Sequence, residues 1–299
     1  MNIIDEILRL KHQRRAVILA HNYTLPEIQD IADFVGDSLE LSIKAKACGA
    51  SVIVFCGVRF MAETAKILSP NSVVLLPNPY SGCPMADMAD AAAVEKYRNE
   101  HPDTVIVAYV NTTAATKTVV DICCTSGNAE KIINSIPPER EIMFLPDANL
   151  GSNLAIRLKR PMKLWQGFCP THNRIFPETV KMAKLQHPGA VTLVHPECPP
   201  VTVSLADHAL STGGMLKFVR ESNARKFIIG TESGIFYRMR QENPDKEFFA
   251  LSPEPVCPNM KKITLENVLD TLETMQSEII LSTEIMGKAR LSIERMLQV

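Results

Sequence analysis

The chain has 299 residues, 46% hydrophobic and 22% charged, and its 32 basic residues nearly balance its 33 acidic ones. Because phosphate binding needs concentrated Lys and Arg, this balance argues against a nucleic acid partner. The longest apolar runs, such as 51–57, fall far short of the roughly 18–20 residues that a membrane span needs. Residues 1–6 are acidic and lack the apolar stretch of a signal peptide, so we expect a cytoplasmic protein without membrane contact.

The predicted elements repeat along the chain. In each unit a helix leads into a strand that ends in polar residues, and a second helix, a second strand, a third helix and a last strand follow. The predicted first strands are 16–23, 105–111 and 191–197, the second are 51–57, 142–147 and 227–232, and the last are 73–76, 163–165 and 247–250. Short apolar strands that alternate with helical patterns indicate parallel α/β units.

The C-terminal segment, 264–299, is predicted to form a helix, a short strand at 278–281 and another helix. It resembles the start of a fourth unit. We therefore divide the chain into α/β repeats at 1–86, 87–172 and 173–299, the last of which includes this extension.

Three kinds of marker recur with steps of 86 or 88 residues. They are Cys-Pro pairs (Cys83, Cys169, Cys257), polar residues at strand ends (His21, Tyr109, His195) and hydroxyl residues where a helix is expected to start (Ser38, Ser126, Thr212). A spacing shared by independent markers predicts a triplicated chain.

The polar strand ends predict one shared binding site, because ligands of parallel α/β folds bind at the carboxyl ends of the strands. The residues expected there are His21, Tyr23, Tyr109, Asn111, His195 and Glu197. Helix N-termini at the same edge would offer free N–H groups to an anionic substrate. A single Ser or Thr before a helix is usually only an N-cap, and a single His is usually structural. The common spacing favours function here.

The cysteines predict a metal site. The chain has eight cysteines and no Cys-x-x-Cys pair, and a chain of this length can build a core without disulfides. Three thiolates on one axis could hold a four-iron, four-sulfur cluster with one iron left open as a Lewis acid. A three-cysteine zinc site in a hydrolase or lyase is the alternative, and a non-catalytic iron–sulfur sensor is another.

Other reactive side chains receive structural interpretations. Cys48 and Cys56 are expected in the core, Cys123, Cys124 and Cys198 break the triplet pattern, His172 is treated as structural although it stands near Cys169, and Glu63 and Glu232 are left outside the site.

Ten motifs resemble those of the quinolinate synthase family, the A protein of the de novo NAD pathway, and they follow its order over nearly the whole chain. They begin at Ala20-His-Asn-Tyr, Gly36-Asp-Ser, Cys83-Pro-Met, Tyr109-Val-Asn, Cys124-Thr-Ser, Gly167-Phe-Cys-Pro-Thr-His, His195-Pro-Glu-Cys, Ser211-Thr-Gly-Gly-Met, Gly230-Thr-Glu and Cys257-Pro-Asn-Met-Lys. The C-terminal cysteine motif of some bacterial members is absent from the sequence.

The resemblance implies three similar three-layer α/β/α domains related by a pseudo-threefold axis, each with a small parallel sheet. It implies one [4Fe-4S] cluster on Cys83, Cys169 and Cys257. It further implies condensation of iminosuccinate with dihydroxyacetone phosphate to quinolinate, phosphate and water, with functional coupling to an aspartate oxidase or aspartate dehydrogenase.

The resemblance also assigns residues to substrate binding and catalysis. The binding residues that it implies are His21, Ser38, Tyr109, Asn111, Ser126, His195, Glu197 and Thr212. Glu197, Tyr23 and Tyr109 are suited to proton transfer, which His21 and His195 could share.

Overall fold

In the computed structural model, which describes residues 2–299, twelve strands form three four-stranded sheets whose paired strands are all parallel. In each sheet the strands of the unit lie in the order second, first, third, fourth, so the same topology occurs three times. Helices flank each sheet. The predicted fold class, three α/β/α units with small parallel sheets, is confirmed.

The elements of each unit follow in chain order. The first unit contains α1 (Ile3–Arg14), β1 (Ala16–His21), α2 (Pro26–Ile31), β2 (Phe34–Gly36), α3 (Ser38–Ala47), β3 (Val52–Cys56), α4 (Arg59–Leu68) and β4 (Val73–Leu75). The second contains α5 (Pro84–Asp87), α6 (Ala91–Glu100), β5 (Val105–Tyr109), α7 (Ala114–Lys117), β6 (Ile122–Cys124), α8 (Ala129–Ser135), β7 (Ile142–Leu145), α9 (Ala148–Leu158) and β8 (Lys163–Leu164). The third contains α10 (Pro177–Gln186), β9 (Val191–Val194), α11 (Pro200–Val203), β10 (His208–Ala209), α12 (Thr212–Glu221), β11 (Lys226–Gly230), α13 (Ile235–Glu242) and β12 (Glu247–Ala250).

Each unit contains one strand that the sequence does not predict, the edge strand β2, β6 or β10. Each is only two or three residues long, too short for a hydrophobic pattern. An aspartate before each strand, Asp33, Asp121 or Asp207, accepts a backbone N–H of the neighbouring first strand at 2.7–2.8 Å. These aspartates are themselves 88 and 86 residues apart, so the repeat extends to a residue that the markers did not include.

The C-terminal extension packs on the first two units rather than on the third. Helix α14 (Leu265–Thr274) packs against α1, and α15 (Thr283–Gln298) packs against α4, α7 and β6. Between them the predicted strand reduces to one antiparallel bridge, Glu278 to Leu75, beside β4. The extension therefore completes the first sheet and covers the second unit, although the predicted division assigns it to the third. The boundaries at 86 and 172 stay predictions.

The largest of the apolar clusters spans all three units. It includes fully or almost fully buried aromatic residues from each unit, Phe55, Phe144 and Phe227. Because the sheets are joined through packed side chains, the loops at their carboxyl ends are held near one another. Within residues 2–299, no helix has the length and apolar character to cross a bilayer.

The edge-strand aspartates give a stability prediction. Asp121→Ala leaves the N–H of the buried Ile106 without its acceptor and removes the Arg98 ion pair at 2.9 Å. We expect a loss of about 1–3 kcal/mol in the free energy of unfolding, measured by urea denaturation without oxygen. Asp121→Asn keeps a carbonyl acceptor and should lose less. An unchanged urea midpoint in the alanine variant would show that this bond is not needed.

Candidate active site

A cavity of about 130 Å³ lies beside the carboxyl ends of the first strands of all three sheets. Every residue predicted for the site lines it: His21, Tyr23, Ser38, Cys83, Tyr109, Asn111, Ser126, Cys169, His195, Glu197, Thr212 and Cys257. The cavity is several times larger than the space that one water molecule needs, so it can hold a small compound. The location of these residues is a structural finding, whereas their individual roles stay predictions.

Two histidines at equivalent positions have the same hydrogen bonding. The Nδ1 of His21 accepts the N–H of Tyr23, and the Nδ1 of His195 accepts the N–H of Glu197, each at 3.2 Å. Burial lowers the pKa of both imidazoles to about 3. With Nδ1 used as an acceptor, each neutral ring carries its proton on Nε2 and acts as a hydrogen-bond donor.

Glu197 is a buried carboxylate at the centre of the site. The Tyr109 hydroxyl donates to its Oε1 at 2.5 Å, and Nδ1 of His172 lies 2.6 Å from its Oε2. Burial alone would raise the pKa of Glu197, but the neighbouring His195 and His172 and the hydrogen bonds from His172 and Tyr109 lower it far below its ordinary value. Glu197 is therefore ionised, and burial raises the pKa of Tyr109 well above its ordinary value.

A chain of hydrogen bonds continues from Glu197 across the cavity. Nε2 of His172 lies 2.8 Å from the Thr231 hydroxyl, which lies 2.6 Å from the Tyr23 hydroxyl. The Tyr23 hydroxyl is in turn 2.8 Å from that of Thr212. The chain thus links Glu197 and Tyr23, two of the three residues predicted to be suited to proton transfer.

Neither connecting residue is predicted for the site from the sequence, where His172 has a structural interpretation and Thr231 has no role. The equivalent positions hold other residue types, Ala86 and Met260 for His172 and Gly57 and Pro146 for Thr231, so the period that selected the other candidates could not select them. The available signal was their presence in Gly167-Phe-Cys-Pro-Thr-His and Gly230-Thr-Glu, which are two of the family-like motifs.

The helix starts differ from the prediction. Ser38 and Thr212 do begin α3 and α12, but Ser126 lies in a turn before α8. Asp37 caps the first turn of α3 and also accepts the N–H of Gly213 at 3.2 Å. Some of the helix-end N–H groups predicted to bind an anionic substrate therefore donate to Asp37 instead. The hydroxyls of Ser38, Ser126 and Thr212 are the donors that line the cavity.

In the first two units, a buried side chain donates hydrogen bonds to the backbone of the loop that follows the first strand. Gln29 donates to the carbonyl oxygens on both sides of Tyr23, each at 3.1 Å. Lys117, at the equivalent position 88 residues later, donates to the carbonyl oxygens on both sides of Asn111, at 2.8 Å for Val110. The Asn111 side-chain oxygen is buried without a hydrogen-bond partner in the part of the chain that the structure describes. It is therefore available to a substrate.

Each unit also supports the site loop of the next. Glu63 in α4 accepts the first N–H of α7 at 2.8 Å, and Asn153 in α9 donates to the Pro196 carbonyl oxygen at 2.8 Å. Arg238 in α13 closes the ring by donating to the Asn22 side chain at 3.1 Å. The site depends on all three unit boundaries.

The residues available to a metal or cluster include the three predicted thiols. Burial raises the pKa of Cys83 to about 12, and it also raises the pKa values of Cys169 and Cys257. Cys169 belongs to a second group as well, because one ligand atom each from Cys169, His172 and Glu197 lie within 4.8 Å of one another. Both sets contain metal-binding donor types.

Comparisons with known proteins agree with the motifs. The family model NadA, described as Quinolinate synthetase A protein, matches residues 5–298. A protein of Geobacter metallireducens is 50% identical over 297 residues, which cover 99% of this chain and 97% of that protein. One of Desulforudis audaxviator is 51% identical over 295 residues, covering 99% and 97%. One of Methanoregula boonei is 50% identical over 293 residues, covering 98% and 97%. All three are named quinolinate synthase.

Proposed function

Since this chain belongs to the quinolinate synthetase A protein family, whose curated relatives are named as enzymes, we propose that it condenses iminosuccinate with dihydroxyacetone phosphate. The products are quinolinate, phosphate and water. The observation that carries the proposal is that every residue that the resemblance assigns to the cluster, to substrate binding or to catalysis lines the same small cavity. An aspartate oxidase or aspartate dehydrogenase would supply the iminosuccinate.

The proposed cofactor is a [4Fe-4S] cluster held by Cys83, Cys169 and Cys257. These thiols suit it because all three line one cavity and cysteine thiolates are the ligands that hold iron–sulfur clusters. Without metal their raised pKa values keep them protonated, so binding releases protons. When bound, such a cluster supplies an iron with an open position that acts as a Lewis acid on a substrate hydroxyl.

Neutral donors are proposed to bind the anionic groups of the substrates. The hydroxyls of Ser38, Ser126 and Thr212 line the cavity, and the neutral His21 and His195 add Nε2–H donors. Donors that stay neutral can bind a carboxylate or a phosphate ester without themselves changing charge as pH varies.

Proton transfer is proposed to run through the Glu197 chain. The ionised Glu197 can accept a proton from a carbon or nitrogen of the substrate, and Tyr109 holds it in place. His172 and Thr231 connect Glu197 with Tyr23, whose hydroxyl can return a proton to a leaving oxygen. The chain therefore offers a base and an acid on two sides of one cavity.

A zinc enzyme is the competing interpretation. The group of Cys169, His172 and Glu197 has donors that zinc accepts, with ligand atoms within 4.8 Å of one another. However, His172 and Glu197 already contact each other at 2.6 Å, which favours the hydrogen-bond chain. The metal content of the purified protein distinguishes a zinc enzyme from an iron–sulfur enzyme.

The cluster proposal predicts the metal content. After anaerobic purification we expect about four iron and four sulfide per chain, since a [4Fe-4S] cluster holds that number. Replacing Cys83, Cys169 or Cys257 by Ser should abolish this content, whereas Cys48→Ser is the control. About one zinc per chain with no sulfide, even after reconstitution, would support the zinc interpretation instead.

Glu197→Gln tests the proposed base. The amide keeps the shape but cannot take up a proton, so we expect quinolinate formation to fall by about 10²- to 10⁴-fold. Iron and sulfide should remain at the wild-type level. Unchanged turnover would remove Glu197 from the mechanism.

Thr231→Val tests the connection between Glu197 and Tyr23. Valine has nearly the same shape without the hydroxyl, so His172 and Tyr23 both lose a partner. We expect turnover to fall by about 10²-fold, with iron and sulfide retained. Thr202→Val is a matched control, because Thr202 is equally buried and bonds a carbonyl oxygen outside the cavity. Equal losses in the two variants would point to general destabilisation.

A further inference from the structure

A buried carboxylate holds the turn that carries Cys257. Glu232 is 0% exposed, and its Oε1 accepts the backbone N–H of Cys257 at 3.0 Å. Its Oε2 accepts the N–H of Gly234 at 2.7 Å. An ionised carboxylate offers only acceptors, and the groups around Glu232 are donors. The charged form therefore fits this position.

Lys261 connects this carboxylate to the first unit. Its Nζ lies 3.0 Å from Oε1 of Glu232 and donates to the carbonyl oxygen of Tyr23 at 2.6 Å. The other end of Tyr23, its hydroxyl, bonds Thr212 and Thr231. The third unit thus holds this tyrosine at both its backbone and its phenol.

Of the three equivalent positions, only the one at the boundary between the third and first units carries an ion pair within residues 2–299. The sheet registers make Glu232 equivalent to Asp147 in the second unit and Val58 in the first. Valine has no charge, and Asp147 forms no ion pair within residues 2–299. The motif Cys257-Pro-Asn-Met-Lys supplies both the thiol and the lysine, four residues apart.

We propose that Glu232 and Lys261 are positioning residues whose ion pair ties the Cys257 turn to the backbone of Tyr23. The pair sets the position of a proposed cluster ligand relative to a proposed proton donor. Its effect on turnover rests on the proposed function, whereas its effect on the Cys257 turn does not.

Gly234 shows how closely these groups pack. A Cβ at this position would lie 2.8 Å from Lys261 Nζ, 2.8 Å from the Cα of Tyr23 and 2.9 Å from Oε2 of Glu232. Gly234→Ala would therefore separate the groups without removing any charge. Gly287→Ala is its control, because a Cβ there meets nothing within 4 Å.

Lys261→Met is the main test, with Lys262→Met as the matched control. Lys262 is exposed and donates only to the Tyr80 carbonyl oxygen in the described part of the chain. In the cluster-loaded enzyme we expect Lys261→Met to lower kcat for quinolinate formation by about 10- to 100-fold, as for a misplaced catalytic group. Gly234→Ala should act in the same direction, and Lys261→Arg, which restores a cation, should recover part of the loss.

Thiol reactivity provides a measurement that needs neither cluster nor activity. In the metal-free chain, iodoacetamide should alkylate Cys257 about tenfold faster in the double variant Glu232→Gln/Lys261→Met than in Lys262→Met, because the ion pair that restrains the turn is lost. Mass spectrometry resolves the sites, and Cys83 should react equally in both. Removing both charges avoids leaving a lone buried carboxylate, which would itself raise the pKa of Cys257 and slow its alkylation.

The possible results distinguish a failure of this inference from a failure of the proposed function. Equal Cys257 alkylation in Glu232→Gln/Lys261→Met and in Lys262→Met would overturn the restraint of the turn. Faster alkylation with unchanged kcat would overturn the positioning of Tyr23. A wild-type chain that forms no quinolinate would contradict the proposed function, while the alkylation comparison would still decide whether the ion pair restrains the turn.

Discussion

The buried charge of Glu197 is the constraint around which the site is organised. A carboxylate removed from water is stable only when donors surround it. Its donors, Tyr109 and His172, come from other parts of the chain, with Tyr109 at the end of a strand in the second unit. The hydrogen bonds that keep Glu197 ionised are therefore also bonds between units. The site and the packing of the units depend on each other.

This dependence accounts for the polar side chains behind the cavity. Loops at the ends of strands have free backbone groups, and in a buried site each of these needs a partner. Gln29 and Lys117 supply partners within their own units, and Glu63 and Asn153 supply them across boundaries. Arg238 bonds the side chain of Asn22 across the third boundary. The loops are thereby fixed before any substrate binds, which is the condition for catalysis by positioned groups.

The three units share a backbone but differ in chemistry. Tyr23, Asn111 and Glu197 occupy equivalent positions, since they are 88 and 86 residues apart, yet one is a phenol, one an amide and one a carboxylate. A small asymmetric substrate needs different groups on different sides, and a symmetric cavity can supply them only through such replacements. The same argument applies to Glu232, whose equivalent in the first unit is Val58.

The sequence by itself determined the features that depend on local pattern. Apolar strands and the repeated spacing predicted three parallel α/β units and selected residues that all line one cavity. Only the tertiary structure revealed the edge strands, because two or three residues carry too little pattern, and the position of the C-terminal helices on the first two units. It also revealed His172, Thr231, Glu232 and Lys261 as parts of the site. These residues belong to the site because they contact residues from distant parts of the chain, and such contacts leave no period in a sequence.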